Sequence, residues 1–342
     1  MTRVGVKGIG AVSPAGWGVG PLSEALRSGT PVPAKDLQRP GWERPLAART
    51  VPAPQPRPAF MTHPRLRRSS PITHYAVGAA LEALGDDAHR LNETDFRLGV
   101  VLCVLTGCVN YSRRFYDEVW KNPAQASPLV FPETVFNAPS SHLATLLGAS
   151  SLNYTLVGDH GMFLQGLAVA ADWLLQGRVE GCLVVGSEEI DWLPADAIRL
   201  FHRSVVPAEG AGAVYLCRGE GDVALHSITD AHPFLETQGR ADAAQRMRDQ
   251  LPPPQPDHLL CDGTQAAPRA DKVERHLWRD WPGPRLAPKA ILGEAFVAAA
   301  AWQCVAAIDA LRHNLAAAAT VSVVGCNQQA IGAHLRRADQ PA

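Results

Sequence analysis

Two periodicities divide the chain. Continuous apolar runs at residues 98–105, 153–157 and 180–187 show no polar alternation, and predict strands covered on both faces. Residues 211–217 and 320–324 read as further strands. Residues 4–12 form another apolar strand, punctuated by glycines and running into Ser13, Pro14, Ala15 and Gly16. Helical spacing separates these runs. Residues 71–84 set Ala76, Ala79, Ala80 and Leu84 on one face, and residues 161–176 do the same with Phe163, Gly166, Leu167, Ala170 and Leu174. Gly177 supplies the stop. Residues 111–120 and 140–147 also read as helices.

A second half begins near Gly221. It predicts a strand at 223–228, a helix at 241–250, a short strand at 258–261, a helix at 271–278, a long apolar helix at 295–313 and a closing strand at 320–324. Residues 30–70, rich in Pro and Arg, read as a surface excursion. Alternating covered strands and helices predict an α/β fold. The division is into two halves, 1–220 and 221–342, with no sequence repeat between them.

Composition narrows the class. At 342 residues and 46% apolar, the chain can bury a large core. Its net charge is −1, with acids and bases interspersed, which points away from a nucleic-acid surface or an anionic membrane. No apolar signal core opens the sequence, and no apolar run reaches the roughly 18 residues of a membrane span, so a cytoplasmic protein is expected. Seven cysteines are scattered without CxxC spacing. They read as buried, reduced thiols, with no disulfide framework, metal site or cofactor indicated.

Several segments in chain order resemble the β-ketoacyl synthase family. Val6-Lys7-Gly8-Ile9-Gly10-Ala11-Val12-Ser13-Pro14 is similar to its opening strand, and Phe131-Pro132-Glu133-Thr134-Val135-Phe136-Asn137-Ala138 to the segment before its dimer-interface helix. Gly186-Ser187-Glu188-Glu189 resembles the end of the strand after the nucleophile helix, Glu209-Gly210-Ala211-Gly212-Ala213 the EGAGA strand, and Lys289 to Gly293 the KxxxGH segment. The resemblance implies a five-layered αβαβα thiolase fold of two fused halves that dimerises through central strands. The stretch between Glu189 and Glu209 is shorter than in typical members, which implies a trimmed acyl-pocket wall.

The same resemblance places the catalytic positions. Counting back from Gly177 puts His160 where the family carries its nucleophilic cysteine, at the N-terminus of a buried helix. The Gly263-Thr264 pair puts Asp262 where the first histidine stands, with Cys261 as its neighbour, and Glu294 follows Gly293 in place of the second histidine. The family's glycine-rich loop shrinks to Gly325-Cys326-Asn327. Substrate contacts are expected from Met162, Phe163, Cys261, Thr264 and Asn327, with support from Asp159, Glu209 and Lys289.

Condensation requires a thiolate to hold the acyl group and imidazoles to assist decarboxylation and stabilise an enolate. His160 forms no stable thioester, and ionised Asp262 and Glu294 would repel a developing oxyanion. No ordinary Claisen activity is therefore expected.

Two readings remain open. In the first, the chain is a non-catalytic partner, similar to the chain length factors of type II polyketide and aryl polyene systems in fatty acid or polyketide biosynthesis. It would then pair with a ketosynthase homologue, or with itself as a homodimer, and meet an acyl carrier protein, with the basic loop at Arg65, Arg67 and Arg68 a candidate docking surface. In the second, His160, Asp262 and Glu294 converge as a general base with acidic orienters for thioester hydrolysis or acyl transfer, a set that could also hold a divalent metal.

Overall fold

The computed structural model describes residues 3–93, 95–148, 152–326 and 328–338. The strands that form its core fall into two sets with the same layout. The first contains β1 (Val4–Ser13), β2 (Leu98–Val104), β3 (Asn153–Val157), β4 (Gly181–Glu188) and β5 (Gly210–Arg218), in the spatial order β1-β5-β4-β2-β3. The second contains β6 (Val223–Ile228), β7 (His258–Cys261), β8 (Arg285–Leu286), β9 (Ala318–Val324) and β10 (Gln329–Arg337), ordered β6-β10-β9-β7-β8. In each set the first two pairings are antiparallel and the last two parallel. The sets join where Val4, Gly5 and Val6 pair with Leu225, Ala224 and Val223, and two short strands complete a twelve-stranded sheet.

Among the described residues, ten α-helices clothe and fill this sheet: α1 (Val19–Ser28), α2 (Pro71–Leu84), α3 (Val109–Lys121), α4 (Ala138–Leu146), α5 (Met162–Leu175), α6 (Trp192–Phe201), α7 (Thr237–Asp249), α8 (Lys272–Leu277), α9 (Pro288–Leu292) and α10 (Phe296–Arg312). Helix α2 packs on β1, β4 and β5, while α7 packs on β10 and against α8. Between the two half-sheets lie α5 and α10, each touching strands of both sets. The result is the five-layered thiolase-like αβαβα arrangement.

The chemistry of α10 explains its place. Its run of alanines lets backbones approach closely, and nearly every residue from Val297 to Leu311 is buried. Two adjacent polar side chains then hold it to opposite sheets. Trp302 Nε1 donates to Ala211 O at 2.9 Å and Val12 O at 3.2 Å, while Gln303 Nε2 donates to Ser322 O at 2.9 Å and Cys261 O at 3.3 Å. Side-chain donors that would otherwise lack partners in a dry interior gain them here.

Most expected elements appear within a few residues of their predicted bounds, with four corrections. The run at 153–157 is not covered on both faces: β3 is the sheet edge, and Tyr154 and Val157 are each 48% exposed. The strand predicted to close the chain is followed by β10, whose apolar pattern is interrupted by Gly332 and the buried His334. The shortened stretch after Glu189 holds α6, whose N-terminus Asp191 caps by accepting from Leu193 N at 3.1 Å. Six of the seven cysteines are buried and none is in a disulfide, but Cys326 is exposed.

Candidate active site

The edge strand β3 leads through Gly158 and Asp159 into the first turn of α5, so His160 stands at the N-terminus of that buried helix. Asp159 shapes this turn. Its Oδ1 accepts from Gly161 N and Gln329 Nε2, both at 3.2 Å, and its Oδ2 from Gln328 N at 3.2 Å. The loop between β9 and β10 is thereby laid against the helix. Gly325 permits the approach: a Cβ there would fall 1.8 Å from Asp159 Oδ2.

His160 is 2% exposed. Its Nε2 lies 2.7 Å from Glu294 Oε1, and Lys289 Nζ donates to Glu294 Oε2 at 3.1 Å. Phe296, in the strained left-handed region at φ 45°, donates its amide to Glu294 Oε1 at 2.8 Å and sets its ring edge-on to the imidazole. Gly293 brings Glu294 to this spot. At φ 96° it passes Ala208, whose Cβ would lie 2.8 Å from any Cβ at position 293. The carboxylate is held from all sides.

These charges set one another. Burial alone would lower the imidazole's proton affinity, but the Glu294 carboxylate outweighs it and raises His160 to about 9. Burial likewise opposes ionisation of Glu294, yet the His160 and Lys289 charges hold it well below the usual carboxylate range. The site is an imidazolium–carboxylate–ammonium chain. The other imidazole nitrogen, Nδ1, is buried without an ordinary hydrogen bond. The Cys326 thiol is drawn up to the ring, also raising its proton affinity, with sulfur, a ring nitrogen and an Asp159 oxygen mutually within 4.8 Å. These three could in principle hold a soft divalent ion, but both Asp159 oxygens already accept from amide donors, which leaves the thiol and imidazole as the reactive pair.

Asp262 does not join them. From the end of β7 its Oδ2 pairs with Arg285 Nη2 at 2.5 Å, and its Oδ1 accepts from Thr264 N at 3.0 Å and Thr264 Oγ1 at 2.6 Å. The expected convergence of His160, Asp262 and Glu294 is thus corrected to His160 with Glu294, because a nearer guanidinium takes Asp262. Asp262 is connected through Glu274, a buried acid that accepts from Gly263 N at 3.0 Å and Ser322 Oγ at 2.8 Å. Burial and the Asp262 charge push Glu274 up to about 7, with Lys289 opposing.

The other anticipated residues take varied places. Lys289 is buried beside Glu294. Phe163 and Cys261 are wholly buried in the core, and Met162 packs partly against it. Thr264 serves Asp262. Glu209 accepts from Val51 N at 3.1 Å and Ile190 N at 3.2 Å, tying two segments together. Asn327 lies outside the described residues. Sequence reasoning missed Cys326, Glu274 and Glu188. The last is buried, accepts from Thr106 N at 3.0 Å and Thr106 Oγ1 at 2.5 Å, and is raised by burial to about 7. Only the doublet Glu188-Glu189 ending an apolar strand signalled it.

Two surface cavities, of about 440 and 380 Å³, are lined by α3 and by the segments around Pro256 and Leu315, and neither includes His160 or Glu294. No helix among the described residues is long and apolar enough to cross a membrane.

Comparison with known proteins agrees with this architecture. No family model matches. A Streptomyces halstedii protein, provisionally assigned as polyketide β-ketoacyl synthase 2, is 27% identical over 365 residues, covering 92% of this chain and 86% of its own. The ishigamide ketosynthase/chain length factor superposes with a TM-score of 0.82 at 21% identity, covering 98% of this chain and 99% of that one. A ketosynthase in complex with its chain length factor from Xenorhabdus doucetiae gives 0.78 at 14% identity, covering 98% of each chain. A type II polyketide ketosynthase in complex with its acyl carrier protein gives 0.76 at 15% identity, covering 98% and 99%. The chain shares the thiolase-like fold of these ketosynthases.

Proposed function

We propose that this ketosynthase-like chain is a non-condensing partner subunit of the chain-length-factor kind, serving polyketide or fatty acid assembly of the aryl polyene type. The observation that carries this reading is the closed ion pair of His160 and Glu294. At the helix N-terminus, where a condensing enzyme would place its acyl-bearing thiolate, the helix presents a buried imidazolium bound to a carboxylate. An acidic group beside the reacting carbonyl opposes enolate formation, and the Lys289 clamp fixes it there.

The partner role draws support from β3. It is a sheet edge with exposed Tyr154 and Val157, and the segment before α4, the helix that packs on this strand, exposes Phe131 and Phe136. Such an edge invites pairing with another strand. The two matching strand sets support fused halves, 1–220 and 221–342. The exposed Arg65, Arg67 and Arg68 supply a basic surface for an acidic acyl carrier protein.

The test is reconstitution with an intact ketosynthase homologue and a carrier protein. The isolated chain should form no ketoacyl product from acyl and malonyl carriers, while the mixture should form a stable heterodimer by light scattering. Robust product from the isolated chain, or failure to assemble with any partner including itself, overturns the reading.

A further inference from the structure

We propose that Cys326, His160 and Glu294 form a displaced thiol relay that accepts an acyl group from a thioester onto the Cys326 sulfur. This goes beyond the partner role and does not depend on it, since it concerns the isolated chain. The three residues come from separate elements: the loop between β9 and β10, the turn leading into α5, and the turn before α10.

Three observations bring them together. Cys326 is exposed, whereas the other six cysteines are buried. Its sulfur and a ring nitrogen of His160 lie within 4.8 Å, and the thiol acts on the imidazole as a hydrogen-bond partner. The imidazole is itself oriented: Nε2 faces Glu294 Oε1 at 2.7 Å, and Lys289 and the Phe296 amide fix that carboxylate. With one nitrogen committed, the buried Nδ1, which has no ordinary hydrogen bond, is left to hold its proton toward the Cys326 sulfur. A nucleophile, an adjacent base and a group that orients the base are the parts that nucleophilic acyl transfer requires.

The loop backbone is built for this approach. Gly325 passes so near Asp159 that no side chain fits, and Asp159 accepts from Gln328 and Gln329 beyond it. Cys326 is thereby held from both sides at the mouth of the helix N-terminus, with the acyl donor arriving from solvent.

In the reaction Cys326 attacks as the thiolate of a thiolate–imidazolium pair with His160, its sulfur lone pair adding to the thioester carbonyl carbon. The bond from that carbon to the leaving sulfur breaks, and the departing thiolate takes the proton from the imidazolium. One thioester is exchanged for another and no redox partner is needed.

The chain would be incubated with hexanoyl-N-acetylcysteamine in the presence of EDTA, then analysed by intact-mass and peptide-mapping spectrometry. The expected result is one hexanoyl group on Cys326, absent from Cys326→Ser and formed at least tenfold more slowly by His160→Gln. Because the His160 variant could fail to fold, the wild-type chain supplies a second measurement. Iodoacetamide should alkylate Cys326 at pH 6.5 at least tenfold faster than it alkylates an unstructured cysteine peptide. Acylation at another cysteine, no acylation, or alkylation at the peptide's rate overturns the proposal.

Discussion

His160 Nε2 and Glu294 Oε1 face each other at 2.7 Å across the middle layer, both side chains almost wholly buried. Neither group would be charged there alone. Removing one partner strands the other, together with Lys289, in a low-dielectric interior. Glu294→Ala should therefore lower unfolding free energy by about 3–5 kcal/mol, read by urea denaturation. A loss below about 1 kcal/mol would show that the pair is already dispensable.

The pair also sets a pH signature. His160 is raised from an ordinary 6.5 to about 9, so its stabilising contribution is full below pH 6.5 and disappears as pH rises through 9. Glu294 is depressed, so its contribution is full above its ordinary 4.5 and is lost only in strong acid. The stability advantage of wild type over His160→Gln should thus peak between pH 4.5 and 6.5 and shrink toward pH 9. An advantage that grows over that alkaline range would refute the assignment of charge.

Glu274 predicts a loss in the same direction over a lower pH window. It is a buried acid raised from 4.5 to about 7, next to Asp262. The folded state holds this proton more tightly than the unfolded chain, so the group costs stability as pH rises from 4.5 to 7, by about 1.4 kcal/mol per unit at most. Glu274→Gln keeps an acceptor for Gly263 N and Ser322 Oγ without the charge. It should gain on wild type across that range and hold a constant offset above it. Parallel stability curves for the two proteins would contradict this.

How far the sequence alone reached differs between fold and site. Helix α2 was legible to the residue because its alanine face and Ser70-Pro71 start are local signals. Strand β3 was legible as a strand but not as an edge, since an apolar run says nothing about which neighbours are missing. His160 could be located by counting from Gly177 because strand, turn and helix follow one another directly. Its partner Glu294 required the family resemblance, being 134 residues away. Asp262 was misassigned for the same reason: Arg285, the cation that captures it, sits on a two-residue strand too short to leave a pattern. Cys326 was read only as part of a shortened loop, because spacing cannot show that this loop crosses a helix N-terminus.

Gly325 is the narrowest fit near the site. An alanine there would place its Cβ 1.8 Å from Asp159 Oδ2 and 2.8 Å from Gln329 O. Either the loop or the start of α5 must move, and overpacking of this kind costs about 1–3 kcal/mol. Gly325→Ala should lower stability by that amount and also slow acylation of Cys326, since the loop carries the sulfur away from the imidazole. Unchanged stability and unchanged labelling together would show that the loop is not anchored as described.

The edge strand offers the sharpest test of assembly. On one side β3 pairs in parallel with β2; on its other side no strand among the described residues pairs with it. Tyr154 is a poor position to probe, because its ring packs edge-on against Trp173 at 5.0 Å and its loss would disturb the core. Val157 is 48% exposed, ends the strand and is among neither the buried core residues nor those packed on them. Val157→Glu should leave the far-ultraviolet circular dichroism and the denaturation midpoint near wild type, since an exposed substitution moves stability by about 0.5 kcal/mol or less. A carboxylate facing an incoming strand, or a second carboxylate in a homodimer, should nevertheless weaken assembly at least tenfold by sedimentation velocity. If Val157→Glu associates as tightly as wild type, with itself and with a ketosynthase homologue alike, the partner does not dock along β3.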